Sequence, residues 1–176
     1  MAKWSTTARQ HRATSCGWSE PDTKNLLVVF HSRSGSTAQL RDALIAGATE
    51  AAPDTVERRV LGVLDAGPDD VLWADAALLA TPANFGWVAG LMKDFLERIY
   101  HPCLDHTRGK PFALIVKGDT DVDGAVGAVE RIVVAGMGWK TVQPPLKVVG
   151  ALEQEHLDAA WEVGASVAAG LDADLF

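Results

Sequence analysis

A short hydroxyl-rich stretch is the first part of the chain whose residues could do chemistry. It consists of Ser32, Arg33, Ser34, Gly35, Ser36 and Thr37. An unbroken apolar run precedes the stretch and an apolar pattern of helical period follows it, so it joins a buried strand to the N-terminus of a helix. The unpaired N–H groups and the positive dipole end of a helix N-terminus attract anions. The stretch therefore predicts a binding site for a phosphate group.

The type of phosphate ligand is narrowed by two patterns that the stretch lacks. It has neither the lysine of a P-loop nor the GxGxxG spacing of a dinucleotide-binding turn. A monophosphate therefore fits these residues better than a nucleoside triphosphate or NAD. The alternative is that the hydroxyls are ordinary helix N-caps, although one cap needs one hydroxyl and the stretch holds four.

The elements that position this stretch follow from residue 25 onward. Short apolar runs alternate with longer segments of helical period, which is typical of βαβ crossovers around a buried parallel sheet. The charged residues within 56–61 indicate an edge strand, and Pro144 and Pro145 interrupt the last strand. We expect five strands, at 26–30, 56–61, 76–80, 112–116 and 141–149, and about five helices, at 37–52, 68–73, 85–100, 124–134 and 153–171.

A doubly wound sheet of this kind has a defined place for its ligand. Ligands bind outside the carboxyl ends of the strands, at the point where the strand order reverses. The loops after the first, third and fourth predicted strands are therefore the ones that would hold a ligand.

These three loops carry motifs of a known superfamily. Ser32, Ser34, Gly35 and Thr37 match the flavodoxin phosphate pattern T/S-x-T/S-G-x-T. The segment Thr81-Pro82-Ala83-Asn84-Phe85-Gly86, followed by Gly90, Met92, Lys93 and residues 95–97, resembles a signature of the quinone-reductase and flavin-reductase branch of the flavodoxin superfamily, TPxxFG and then G-x-M-K/R-x-F-L/F-D/E. Gly118 and Asp119 resemble the Gly-Asp loop of flavodoxins.

The resemblance implies a fold and a cofactor. The fold would be an α/β, flavodoxin-like three-layer sandwich, with a five-stranded parallel sheet of order 2-1-3-4-5 and helices on both faces. The cofactor would be FMN, with its phosphate on the first loop and its ring edge against backbone groups of residues 83–86. The cofactor-binding residues implied are Ser32, Arg33, Ser34, Gly35, Ser36, Thr37, Thr81, Pro82, Ala83, Asn84, Phe85, Gly86, Gly118 and Asp119.

Three residues near the implied ring have two interpretations each. Phe85 and Trp87 would either stack on the flavin or pack in the core beneath the long helix. Asp119 would either border the ring or serve as a turn or cap residue. The aromatic residue that often stacks on the flavin from the third loop is absent here, which leaves one ring face either open or covered by another subunit.

The function implied is that of an FMN-binding oxidoreductase that passes electrons from NAD(P)H to a quinone, a flavin or another small acceptor. The flavin would carry the chemistry, so no catalytic side chain is predicted. One alternative is an electron-carrier flavodoxin that serves a redox protein and turns over no substrate. A second is a flavodoxin-like protein that binds no flavin and acts in interaction or regulation. Homo-oligomers are compatible with the resemblance, since such relatives often complete the flavin pocket between subunits.

The composition argues against several other classes of partner. The 176 residues include 16 Lys and Arg against 23 Asp and Glu, and the net charge of −7 disfavours nucleic acid and anionic membranes. No apolar run is long enough to enter and span a bilayer. Cys16 and Cys103 lie in no CxxC motif, so we expect free thiols and a cytoplasmic location.

The chain is predicted to have two parts. Residues 1–24 are predicted to be a flexible extension, with a targeting segment as the alternative, and residues 25–176 an FMN-binding domain.

A second cluster of potentially reactive side chains follows the third predicted helix. His101, Cys103, Asp105 and His106 are metal-ligand types, but their spacing matches no common zinc pattern. A solvated loop is therefore favoured over a metal site. The chain also has no GxSxG motif, so nothing in it supports hydrolysis.

Overall fold

A mostly parallel sheet forms the centre of the computed structural model, which describes residues 23–176. All but the last two residues of the predicted extension, 1–24, lie outside the described residues. The strands are β1 (Lys24–Phe30), β2 (Val56–Gly62), β3 (Ala76–Asn84), β4 (Trp87–Val88), β5 (Pro111–Gly118), β6 (Lys140–Thr141) and β7 (Leu146–Val149).

The strand order agrees with the predicted order 2-1-3-4-5. β2, β1, β3 and β5 are neighbours in that sequence, and β6 and β7 both pair in parallel with β5 at the far edge. The fifth position is thus divided into two short strands, because Pro144 and Pro145 lie between them and cannot donate ladder hydrogen bonds. A further two-residue strand, β4, pairs antiparallel with β3. The sheet therefore has seven strands rather than five, while its core matches the prediction.

Five helices cover the two faces of the sheet. They are α1 (Ser36–Ala51), α2 (Pro68–Trp73), α3 (Gly90–Cys103), α4 (Asp123–Glu130) and α5 (Gln154–Asp172). Leu26 and Val28 of β1 pack with α1 and α5, whereas Leu27 and Val29 pack with the helices of the opposite face. Burial on both faces explains why β1 is an unbroken apolar run. Among residues 23–176, none of the helices combines the length and hydropathy needed to cross a bilayer.

The bounds of α3 differ from the prediction at both ends. The helix begins at Gly90 rather than at Phe85, because β3 and β4 form a hairpin whose two turn residues, Phe85 and Gly86, have φ of 54° and 72°. Two-residue hairpin turns with positive φ at both positions match the twist of the paired strands. At the other end the helix runs past the predicted bound of residue 100, includes Pro102 and stops at Cys103, so the prediction that the helix ends before this proline is wrong. Only Cys103 follows the proline in the helix, so the missing N–H disturbs the end of α3 rather than its interior.

The helix after β5 also differs from its predicted form. α4 ends at Glu130 and continues as a π-helix, Arg131–Gly136, in which the Met137 N–H donates to the Ile132 carbonyl at 2.9 Å. A π-helix is defined by hydrogen bonds between residues five apart, and an apolar pattern of period 3.6 does not predict it.

The two helices on the first face are in backbone contact. A Cβ built on Gly164 of α5 would lie 1.9 Å from the Leu44 carbonyl oxygen of α1, and one built on Gly47 would lie 2.0 Å from the Trp161 carbonyl oxygen. No side chain fits at either position. The pair of glycines therefore fixes how closely α5 holds α1, and with it the position of the α1 N-terminus.

We expect Gly164→Ala to lower the free energy of unfolding by about 1–3 kcal/mol, because the new methyl group forces the two helices apart. This cost exceeds the gain of about 1 kcal/mol that alanine brings to a helix interior. Urea denaturation checks the prediction. Gly127→Ala is the matched control, since its Cβ would meet no atom within 4 Å and should leave stability unchanged or raised. A Gly164→Ala protein as stable as this control would contradict the contact.

Candidate functional site

The loops after β1, β3 and β5 meet at one cavity of about 360 Å³. This volume falls within the range of small-molecule sites in proteins. The cavity is lined by Arg33, Ser34, Ser36, Thr37, Pro82, Ala83, Asn84, Lys117, Gly118 and Asp119. All of these except Lys117 are predicted site residues, and they come from three segments far apart in the sequence.

Of the four hydroxyl-bearing residues of the first loop, one pairs with a backbone N–H and the other three line the cavity. Ser32 Oγ accepts a hydrogen bond from the Ala38 N–H at 3.2 Å, so it is occupied by the first turn of α1, and Ser32 does not line the cavity. The N-cap position itself is Gly35, so none of the four hydroxyls is an ordinary N-cap, although Ser32 pairs one backbone donor of the first turn. Ser34, Ser36 and Thr37 line the cavity, and their hydroxyls make no hydrogen bond to the part of the chain that the structure describes.

The start of α1 leaves backbone donors beside these hydroxyls. Gly35 precedes the helix with φ of 97°, and its carbonyl accepts from the Gln39 N–H at 3.1 Å. The N–H groups of Ser36 and Thr37 have no acceptor within residues 23–176. Backbone N–H groups at a helix N-terminus and nearby hydroxyls are the donor set that binds a phosphate.

The second loop is the end of β3 and the hairpin turn that follows. Pro82, Ala83 and Asn84 line the cavity, whereas Thr81 is fully buried in the strand. Phe85 and Gly86 occupy the turn and lie outside the lining. The Phe85 ring is fully exposed, so the interpretation of Phe85 as a core residue is wrong.

Trp87, the other aromatic residue of this region, is half exposed. It lies beside a second cavity, of about 420 Å³, between α3 and the helix after β5, rather than in the lining of the first. A position in the buried core is therefore wrong for Trp87 as well.

The third loop contributes a lysine that sequence reasoning missed. Lys117 Nζ donates to Asp119 Oδ1 at 2.9 Å and to the Gly118 carbonyl at 3.1 Å, and its side chain is only 10% exposed. Asp119 therefore holds an ion pair, while Asp121 closes the turn before α4 by accepting from the Asp123 N–H at 2.9 Å. The feature of the sequence that could have identified Lys117 is its position directly after five apolar residues of a buried strand.

The charges around the cavity favour an anionic ligand. Arg33 and Lys117 contribute two positive charges to its lining, against one negative charge from Asp119. The cavity is thus locally positive in a chain whose net charge is −7. Burial, and then the nearby Arg33 charge, lower the pKa of His31 below its ordinary value, so the His31 imidazole is neutral at pH 7.

The cluster around Cys103 lies elsewhere. His101 and Cys103 belong to α3 rather than to a loop, and Cys103 is a free thiol buried in the core. Burial raises the pKa of this thiol. The described residues contain no group of three or more His, Cys, Asp or Glu side chains that could hold a metal ion.

Comparisons with known proteins agree with this architecture. No family model matches the chain. A flavodoxin from Aquifex aeolicus is 32% identical over 74 residues, which cover 42% of this chain and 39% of that relative. A solved flavodoxin from the domain Archaea superposes with a TM-score of 0.71 at 18% identity, over 84% of this chain and 98% of the other.

A solved NADH:FMN oxidoreductase in its apo form superposes with a TM-score of 0.67 at 20% identity, over 85% of this chain and 90% of that enzyme. The similarity therefore extends over most of the described residues. It confirms the flavodoxin-like fold that the motifs implied, with a parallel sheet and helices on both faces.

The hairpin beside the cavity is supported from behind by α4. A Cβ built on Gly124 would lie 2.2 Å from the Gly86 carbonyl oxygen. We expect Gly124→Ala to displace the turn and to lower the free energy of unfolding by about 1–3 kcal/mol. Backbone amide NMR should then show shifts concentrated in residues 83–88.

Gly90→Ala is the control for this prediction, because Gly90 follows the same hairpin and its Cβ would meet no atom within 4 Å. If the hairpin amide signals shift equally in Gly124→Ala and Gly90→Ala, α4 does not position the hairpin.

Proposed function

We propose that this chain binds FMN in the cavity at the ends of β1, β3 and β5 and acts as an oxidoreductase that transfers electrons from NAD(P)H to a quinone, a flavin or another small acceptor. One observation carries the proposal. A donor set suited to a phosphate and a group of small residues suited to a planar ring line the same cavity.

The first loop fits the phosphate of FMN. Free N–H groups at Ser36 and Thr37, three hydroxyls and the Arg33 side chain surround one end of the cavity. The α1 dipole adds about 0.3–1 kcal/mol for an exposed anion, so most of the binding free energy would come from the hydrogen bonds. Ser32 would hold the loop in shape through its bond to the Ala38 N–H rather than touch the ligand.

The second and third loops fit the ring. Pro82, Ala83 and Gly118 line the cavity and are small, uncharged residues. Flavin has an apolar centre and a hydrogen-bonding rim, which such a surface can hold. Bound FMN would supply hydride and single-electron transfer, and these loops would orient the ring and exclude water from one of its faces.

Access to the ring favours turnover of a small substrate. No aromatic residue follows Asp119 in the third loop, where Thr120, Asp121 and Val122 stand instead. One face would then be open, or completed by a second subunit, and hydride transfer needs donor and acceptor rings in close contact. The similarity to the NADH:FMN oxidoreductase supports this function.

The second candidate is an electron carrier that exchanges electrons with a redox protein. The similarity to two flavodoxins supports it, as does the acidic net charge of −7. A carrier and a reductase would share the FMN site and differ in their reaction with NAD(P)H.

One titration tests both the cofactor and the reaction. We expect the full chain to bind one FMN, which quenches or shifts flavin fluorescence, and to gain about 2.7 kcal/mol of stability when free FMN is 100 times its Kd. Anaerobic NADPH or NADH should then bleach the bound flavin. Bound FMN that stays oxidised would assign the carrier function, and no binding at all would refute both.

A variant of the first loop localises the site. Ser36→Asp places a carboxylate at the start of α1, where it suits the helix dipole but repels a phosphate. We expect the Kd for FMN to rise at least about tenfold, and the Kd for riboflavin, which has no phosphate, to stay unchanged. Gln39→Asp adds the same charge to the exposed side of that turn and is the control. Equal effects of the two substitutions would place the phosphate elsewhere.

A further inference from the structure

Lys117 lies at an unusual place for a lysine. It follows five apolar residues of β5, and its side chain is 10% exposed. Side chains alternate between the faces of a strand. Ala113 and Ile115 pack with Leu40 and Leu44 of α1, so Lys117 lies on the α1 face as well. Lys117 and the first residues of α1 thus line the same cavity from the same face of the sheet.

The hydrogen bonds of Lys117 leave it incompletely satisfied. An ammonium group has three N–H donors, and within residues 23–176 only two acceptors are assigned to it, the Gly118 carbonyl and Asp119 Oδ1. The Asp119 side chain is 95% exposed. An ion pair with so exposed a carboxylate contributes little to stability and exchanges readily, whereas a nearly buried ammonium requires a strong partner.

The other cation of the cavity is placed differently. Arg33 is exposed at the rim, so Lys117 is the buried cation among the residues that line the cavity. Charge-assisted hydrogen bonds from a lysine to a phosphate are short and about twice as strong as neutral ones. A phosphate at the start of α1 would meet backbone N–H groups on one side and Lys117 on the other.

We propose that Lys117 binds the phosphate of the ligand and that the phosphate replaces Asp119 as its anionic partner, an inference that rests on the proposed FMN site. Lys117 then determines specificity, because it favours FMN over riboflavin. Asp119 keeps the ammonium group paired in the free protein.

The test compares FMN and riboflavin on the full chain. We expect Lys117→Met, which keeps the length of the side chain and removes the charge, to raise the Kd for FMN about 10- to 100-fold. The Kd for riboflavin should change less than about twofold, since the variant still folds around an apolar side chain. The FMN affinity of Lys117→Met should also depend less on salt than that of the unmodified protein.

Lys147→Met is the matched control. Lys147 stands on the neighbouring strand β7, paired in register with Val116, and forms an exposed ion pair with Asp123. The Lys147→Met substitution removes the same charge at a residue that does not line the cavity, so the affinities for FMN and for riboflavin should both stay unchanged. Asp119→Asn, which frees Lys117 from its partner, should raise FMN affinity, and a loss of FMN affinity in this variant would contradict the exchange of partners.

The outcomes separate this inference from the proposed function. Tight FMN binding that Lys117→Met does not weaken would overturn the role of Lys117 while the FMN site stands. Equal losses for FMN and riboflavin would place Lys117 at the ring and also overturn it. An unmodified protein that binds neither compound would refute the FMN site, and the role of Lys117 with it.

Discussion

The register of β1, β3 and β5 at their carboxyl ends is the constraint on which the site depends. Phe30 of β1 pairs with Ala80 of β3, and Pro82 of β3 pairs with Lys117 of β5, so the three strands end close together on the same side. Parallel pairing requires a crossover after every strand, and this brings loops from distant parts of the sequence to one edge. A shift of one residue in any of these pairings would turn the cavity-lining side chains to the opposite face.

The helices convert this edge into a site of defined shape. Backbone contact at Gly164 holds α1 against α5, and contact at Gly124 holds the hairpin against α4. These contacts lie on opposite faces of the sheet, so the two walls of the cavity are positioned independently. Near the cavity, two local features are energetically unfavourable, namely positive φ at Phe85 and the nearly buried Lys117. Such features concentrate at functional sites, where binding compensates for them.

The pattern of apolar residues was sufficient to predict most of the fold. β1 was predictable because both of its faces are covered, and the edge position of β2 followed from its charges. The hairpin was not predictable by periodicity, because Val88 and Leu91 continue the helical spacing of α3 back through the turn. Its defining feature, positive φ at Phe85, is rare for a bulky residue and has no compositional signal.

The site was predictable only in part, for a related reason. Four hydroxyls indicated an anion site, but which of them pairs with a backbone N–H of the helix depends on the geometry of the loop, and in the structure it is Ser32. Lys117 is visible in the sequence as a charged residue near the end of an apolar strand, yet its importance comes from the face of β5 on which it lies and from its pairing with Asp119. Both depend on tertiary structure rather than on residue type.

The most direct test of the account is an NMR titration of the uniformly labelled chain with FMN. The three loops should respond as one site, so amide signals of residues 34–38, 82–86 and 117–119 should shift together and saturate with one Kd. Shifts confined to residues 34–38 would reveal a simple anion site. Shifts centred on Trp87 and Tyr100, which line the second cavity, would contradict the proposed position of the flavin.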